Sequence, residues 1–81
     1  MSVQDAGMAR MAQREITRRA IDTSRLDVRC SHGVIHMRGM VARIHGHDVD
    51  LKHELEVVAR TLRGRPGVRD VIIEVDLTGL E

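Results

Sequence analysis

Residues 26–44 hold two runs of alternating polarity joined by His32-Gly33, and this arrangement limits the chain more than any other feature. Leu26, Val28 and Cys30 face one way while Asp27, Arg29 and Ser31 face the other, which is the period of a half-buried strand. The return run places Ile35, Met37, Gly39 and Val41 on one face and His36, Arg38, Met40 and Ala42 on the other. A two-residue hairpin loop demands positive φ, which Gly33 can take at no steric cost. Gly39 weakens a strand interior, so a bulge or a close backbone approach from the helix layer is expected there.

The flanks fit helices and one further strand. Residues 4–22 predict a helix, because Met8, Ala12, Ile16 and Ala20 recur every four residues with Met11 beside them. Gly7 weakens its first turn, so fraying is expected before about residue 8. A histidine-rich loop, HGHD, precedes a second helix over 50–63 with Leu51, Leu55, Val58, Ala59 and Leu62 as its core stripe, capped by Asp48 or Asp50. Arg63-Gly64-Arg65-Pro66-Gly67 stops that helix. The last strand, VRDVIIEVDL, turns Val71, Ile73, Val75 and Leu77 inward. The order predicts an α+β fold: a two-layer αββαβ sandwich with two helices on one face of a three-stranded mixed sheet. One domain over 1–81 is expected, with its core between about 8 and 77.

With 81 residues, 42% of them hydrophobic, the chain has room for one modest core, and oligomerisation would help it. It has no Phe, Trp or Tyr, which disfavours readers of single strands that stack bases on rings. Thirteen cations, all Arg except Lys52, stand against 12 acids, so no global field draws nucleic acid and any anion preference must be local. Cys30 is the single cysteine, which excludes an internal disulfide and a cysteine zinc knuckle. Asp5 and Glu15 interrupt the N-terminal region, and no stretch reaches membrane-spanning length. A cytoplasmic location is expected, or a periplasmic one if a leader has been removed.

From about Glu15 to Val75 the sequence resembles the BON domain (bacterial OsmY and nodulation) family. The resemblance is carried by Leu26 and Val28, by the run Gly33-Val34-Ile35-His36-Met37-Arg38-Gly39-Met40-Val41, by Val58 and Ala59, and by Gly67-Val68 followed by Val71, Ile73 and Val75. Met37 stands for the usual leucine and Ile35 for the usual second valine, and the histidine-rich segment 44–50 departs from the family's short polar connection. The resemblance implies an αββαβ domain of bacterial envelope and binding proteins, with phospholipid or ligand binding suggested for the class. Its motifs are structural glycines and core valines rather than catalytic groups.

Several residue groups point to chemistry. Arg10, Arg14 and Arg18 form one column with Arg19 beside it, a candidate surface for lipid or other phosphates, against the plainer reading of a solvated helix face. Arg29, His36, Arg38, Met40, Ile72 and Glu74 share the outward sheet face, the candidate surface for a protein partner or a second copy. His45, His47 and His53, with Asp48, are weak metal-ligand candidates on a loop and the following helix. Gly64-Arg65-Pro66-Gly67 matches the GxxG with which KH domains clamp nucleic acid, but it leads into a strand, and Pro66 lacks an amide donor. Cys30 and His36 fall on opposite sheet faces, so no thiol catalysis is expected, and no cofactor is implied. The expectation is a non-enzymatic interaction module on the sheet face or its edge. Phospholipid-surface binding through the first helix is the alternative, and weak nucleic-acid binding through Arg65 comes third.

Overall fold

The computed structural model describes residues 2–77; Met1 and residues 78–81, which the single-domain span also covers, lie outside it. The elements run α1 (Val3–Thr17), β1 (Ile21–Asp22), β2 (Leu26–Ser31), β3 (Val34–Arg43), α2 (Leu51–Arg63) and β4 (Asp70–Leu77). β3 is the centre of a mixed sheet: β1 and β2 pair antiparallel with it on one side, and β4 pairs parallel on the other. Both helices cover one face, and the fold is the expected α+β sandwich. Its core holds Ala12 and Ile16 of α1, Leu51, Leu55, Val58, Ala59 and Leu62 of α2, and Cys30, Ile35, Met37, Val41 and Val71 of the sheet.

The hairpin forms as its alternation requires. Ser31 pairs with Val34 across His32-Gly33, and both loop residues take positive φ, 53° and 80°. That conformation matches the right-handed twist of the flanking strands. Asp5, in the first turn of α1, fixes the turn from outside: its carboxylate accepts from the His32 amide at 3.2 Å and the Gly33 amide at 3.3 Å. α1 is thereby tied to the hairpin by polar bonds as well as by its apolar stripe.

Four features differ from the sequence expectation. α1 starts at Val3 because Ser2 caps it, accepting from the Asp5 amide at 3.0 Å, so Gly7 does not fray the helix. It ends at Thr17 rather than at residue 22, where the Thr17 hydroxyl turns back to donate to the Arg14 carbonyl. Ile21 and Asp22 instead form β1 against Arg43 and Ala42, making four strands among the described residues where three were expected. Leu26 pairs with Gly39 and Asp22 with Ala42, so the β1–β2 side carries one extra residue over the same length of β3. The close approach at Gly39 therefore comes from this connection and not from the helix layer. Gly39 has φ +117°, and a Cβ there would collide with the Arg25 carbonyl oxygen.

α2 begins at Asp50, which accepts from the His53 amide at 3.2 Å, and stops at Gly64. No helix among the described residues is long and apolar enough to cross a membrane.

Candidate interaction site

The open face of the sheet carries the residues expected on it. Register places Arg29, His36 and Ile72 in one transverse row and Asp27, Arg38 and Glu74 in the next. The charged members are satisfied among themselves: Arg29 meets Asp27 at 2.9 Å and Arg38 meets Glu74 at 3.8 Å, all four well exposed. His36 and Met40 are half-buried by their neighbours, which leaves Ile72, 38% exposed, as the large apolar side chain open on that face. Such pairs are the ordinary furniture of a solvated sheet and add only tenths of a kcal/mol to roughly 1 kcal/mol each.

The free edge of β4 is different. Its inward residues Ile73, Val75 and Leu77 are half-buried, because α2 packs against β4 and β3 without covering these side chains completely. These three side chains, with Leu55 and Ala59 of α2, floor a groove of about 650 Å³ whose helical wall carries Lys52, Glu56, Arg60 and Arg63. The groove runs along an edge strand, since β4 pairs with β3 and with no other strand among the described residues. An edge strand presents a row of backbone donors and acceptors to anything that lies beside it.

The α1 arginines are dispersed rather than gathered. Arg10 and Arg14 are exposed, and Arg18 reaches Glu15 at 3.2 Å. Arg19 bends to α2 and donates to Glu54 at 2.6 Å in a partly buried pair, which holds the Glu54 carboxyl below its usual range. Arg65 of the glycine loop also goes to Glu15, at 2.6 Å, so its guanidinium is engaged within the fold. The apolar stripe that made α1 resemble a membrane-surface helix lies in the core, with Ala12 and Ile16 fully buried.

The remaining candidates carry little chemistry. Among the described residues no group of three or more His, Cys, Asp or Glu side chains is placed to hold a metal ion. His45, His47 and His53 stand exposed on the loop and the start of α2 without converging. Cys30 lies on the inner face while His36 lies on the outer one. Burial pushes the Cys30 thiol up, as does the Asp5 carboxylate 3.6 Å from its sulfur, and both effects oppose thiolate formation.

Sequence reasoning missed Asp5, although Ser2-x-x-Asp5 is a helix-start signature that marks its first role. Its second role, on the hairpin amides, has no local signal. Burial alone would raise the Asp5 pKa, yet the donors from His32, Gly33, Ser2 and Cys30 outweigh it and hold the carboxyl below its ordinary value. No family model matches the chain, and no curated protein shows significant similarity to it.

Proposed function

We propose that this chain is a small non-enzymatic interaction module of BON type that takes a protein partner along its sheet, at the free edge of β4. The observation that carries this reading is the half-open apolar groove beside the outer edge of β4, which has no partner strand among the described residues, with Ile73 and Val75 lining it. An extended segment laid there gains main-chain hydrogen bonds from the strand and side-chain burial from the groove, the two ingredients of strand addition. The open sheet face supports the reading less, because its charges already pair, Arg29 with Asp27 along β2 and Arg38 with Glu74 across to β4. Phospholipid-surface binding through Arg10, Arg14 and Arg18 is disfavoured because the apolar half of α1 is spent on the core, leaving charge alone to hold a membrane. Nucleic-acid binding through Arg65 is disfavoured by its contact with Glu15.

Selecting ten-residue peptides from a random display library on the protein, then mapping the tightest by amide NMR, tests this. The reading expects shifts on residues 72–77 and along the α2 flank from Lys52 to Arg63. Selected peptides that shift Arg29, His36 and Arg38, or Arg10 and Arg14, without moving β4 would overturn it.

A further inference from the structure

We infer, resting on the strand-docking reading above, that the segment the β4 edge accepts alternates apolar and basic residues and comes from a chain other than a second copy of this one.

The edge has a defined beginning. The Val71 amide donates to its neighbour's carboxylate, Asp70 Oδ1, at 2.8 Å, and the Val71 carbonyl accepts from Arg63 Nη2 at 3.0 Å. The first outward backbone unit of β4 is thus sealed by the protein's own side chains. Strand residues two apart point their amide and carbonyl the same way, so the next outward units after Val71 are Ile73 and Val75. The same two residues send their side chains into the groove. An incoming strand therefore bonds the backbone and fills the groove at the same positions, over a window that opens after Arg63 and Asp70.

The two side-chain rows of the incoming strand meet unlike surroundings. The row on the helix side falls on Leu55, Ala59, Ile73 and Val75, an apolar floor. The row on the other side falls beside Ile72, Glu74 and Asp76 of β4, where Arg38 is the counter-charge and sits 3.8 Å from Glu74 on the far side of the strand. Cross-strand neighbours stand about 5 Å apart, well inside the screening length, so these acids select Lys or Arg opposite them. Lys52, Arg60 and Arg63 line the opposite wall, above the apolar row, and are separated from the outer row by the sheet itself.

The same charges act against self-pairing. Antiparallel pairing of β4 with its own copy keeps open-face residues opposite open-face residues, and three of the four open-face positions of the strand, 70, 72, 74 and 76, are acids: Asp70, Glu74 and Asp76. Acid on acid at a sheet edge is a known guard against edge-to-edge association.

The test uses the full 81-residue chain and three labelled peptides in fluorescence anisotropy, with amide NMR to locate each. The peptides are Lys-Val-Lys-Val-Lys-Val-Lys, its Glu-for-Lys counterpart, and the block isomer Lys-Lys-Val-Val-Val-Lys-Lys. Two cross-strand charge contacts that change sign amount to about a tenfold preference at low salt. The alternating Lys peptide should bind at least that much tighter than either of the others and shift Ile73 and Val75. The double variant E74K/D76K should reverse the order in favour of the Glu peptide. Equal or reversed affinities with shifts still on β4 overturn the basic partner and leave strand docking standing. Absence of β4 shifts with all three peptides overturns the docking reading and this inference with it.

Discussion

Gly39→Ala is the substitution through which the β1–β2 connection is best probed. At φ +117° an L side chain is held in a region it rarely adopts, which costs roughly 1–3 kcal/mol. The new methyl also occupies the place of the Arg25 carbonyl oxygen, which accepts from the Met40 amide at 3.3 Å. Relieving the collision pulls that carbonyl away, and loss of the bond adds about 1 kcal/mol. The sum, about 2–4 kcal/mol, is a large part of the roughly 4–12 kcal/mol that a chain of 81 residues holds in total. Gly46→Ala is the control: it also has positive φ, +88°, but nothing lies within 4 Å of its added Cβ, so about 1 kcal/mol is expected from the backbone alone. Urea unfolding followed by far-UV circular dichroism measures both, since the chain has no aromatic reporter. Gly39→Ala should lower the Tm by at least about 8 °C. A Gly39→Ala protein within about 0.5 kcal/mol of the parent, or one no weaker than Gly46→Ala, would refute the close-approach reasoning.

Core and face should separate cleanly under truncation. Leu62→Ala removes a fully buried side chain and should cost about 2–5 kcal/mol, whereas Ile72→Ala, on the open face, should stay within about 0.5 kcal/mol by the same denaturant assay. Acid should destabilise the fold through Glu54 and Asp5, whose carboxyls sit below their ordinary values of 4.5 and 3.8. Their stabilising contribution is complete above those values and is lost as pH falls through the lower folded ones. Glu54→Gln should therefore flatten the loss of stability that begins near pH 4.5, as read from denaturant midpoints between pH 6 and 2.5. Zinc at a few equivalents should leave the melting temperature and the His45, His47 and His53 ring resonances unchanged, because those rings do not converge.

The sequence was most legible where local period and local chemistry agree. The hairpin over β2 and β3 is written in alternation plus His32-Gly33, and α2 in its apolar stripe, the Asp50 cap and the Gly64 stop. The inward and outward faces of all three long strands follow from the same period of two. The end of α1 was not legible, because Ala20 continues the four-residue rhythm and no Gly or Pro interrupts it. What stops the helix is pairing of Ile21 with Arg43, a contact 22 positions away that no local window contains. A two-residue strand also falls below the length at which alternation can be recognised.

For the candidate site, the sequence marked the outward sheet residues and placed them together correctly. It named the sheet edge only in general and did not single out β4, because whether Ile73 and Val75 are covered depends on how far α2 reaches across the sheet. That distance is set by packing. The Arg column was legible as a pattern and misleading as a surface, since Arg19 and Arg65 are drawn to Glu54 and Glu15 by tertiary contacts.

The most direct test of partner docking at the β4 edge is residue-resolved hydrogen exchange with and without the alternating Lys-Val peptide. In the free protein the amides of Ile72 and Glu74, which face β3, should be protected, while those of Ile73 and Val75 exchange fast. Saturating peptide should protect Ile73 and Val75 at least tenfold and leave the outer-face residues Arg29 and Arg38 as they were. Protection of Ile73 and Val75 already complete in the free chain, or unchanged by bound peptide, would contradict the account.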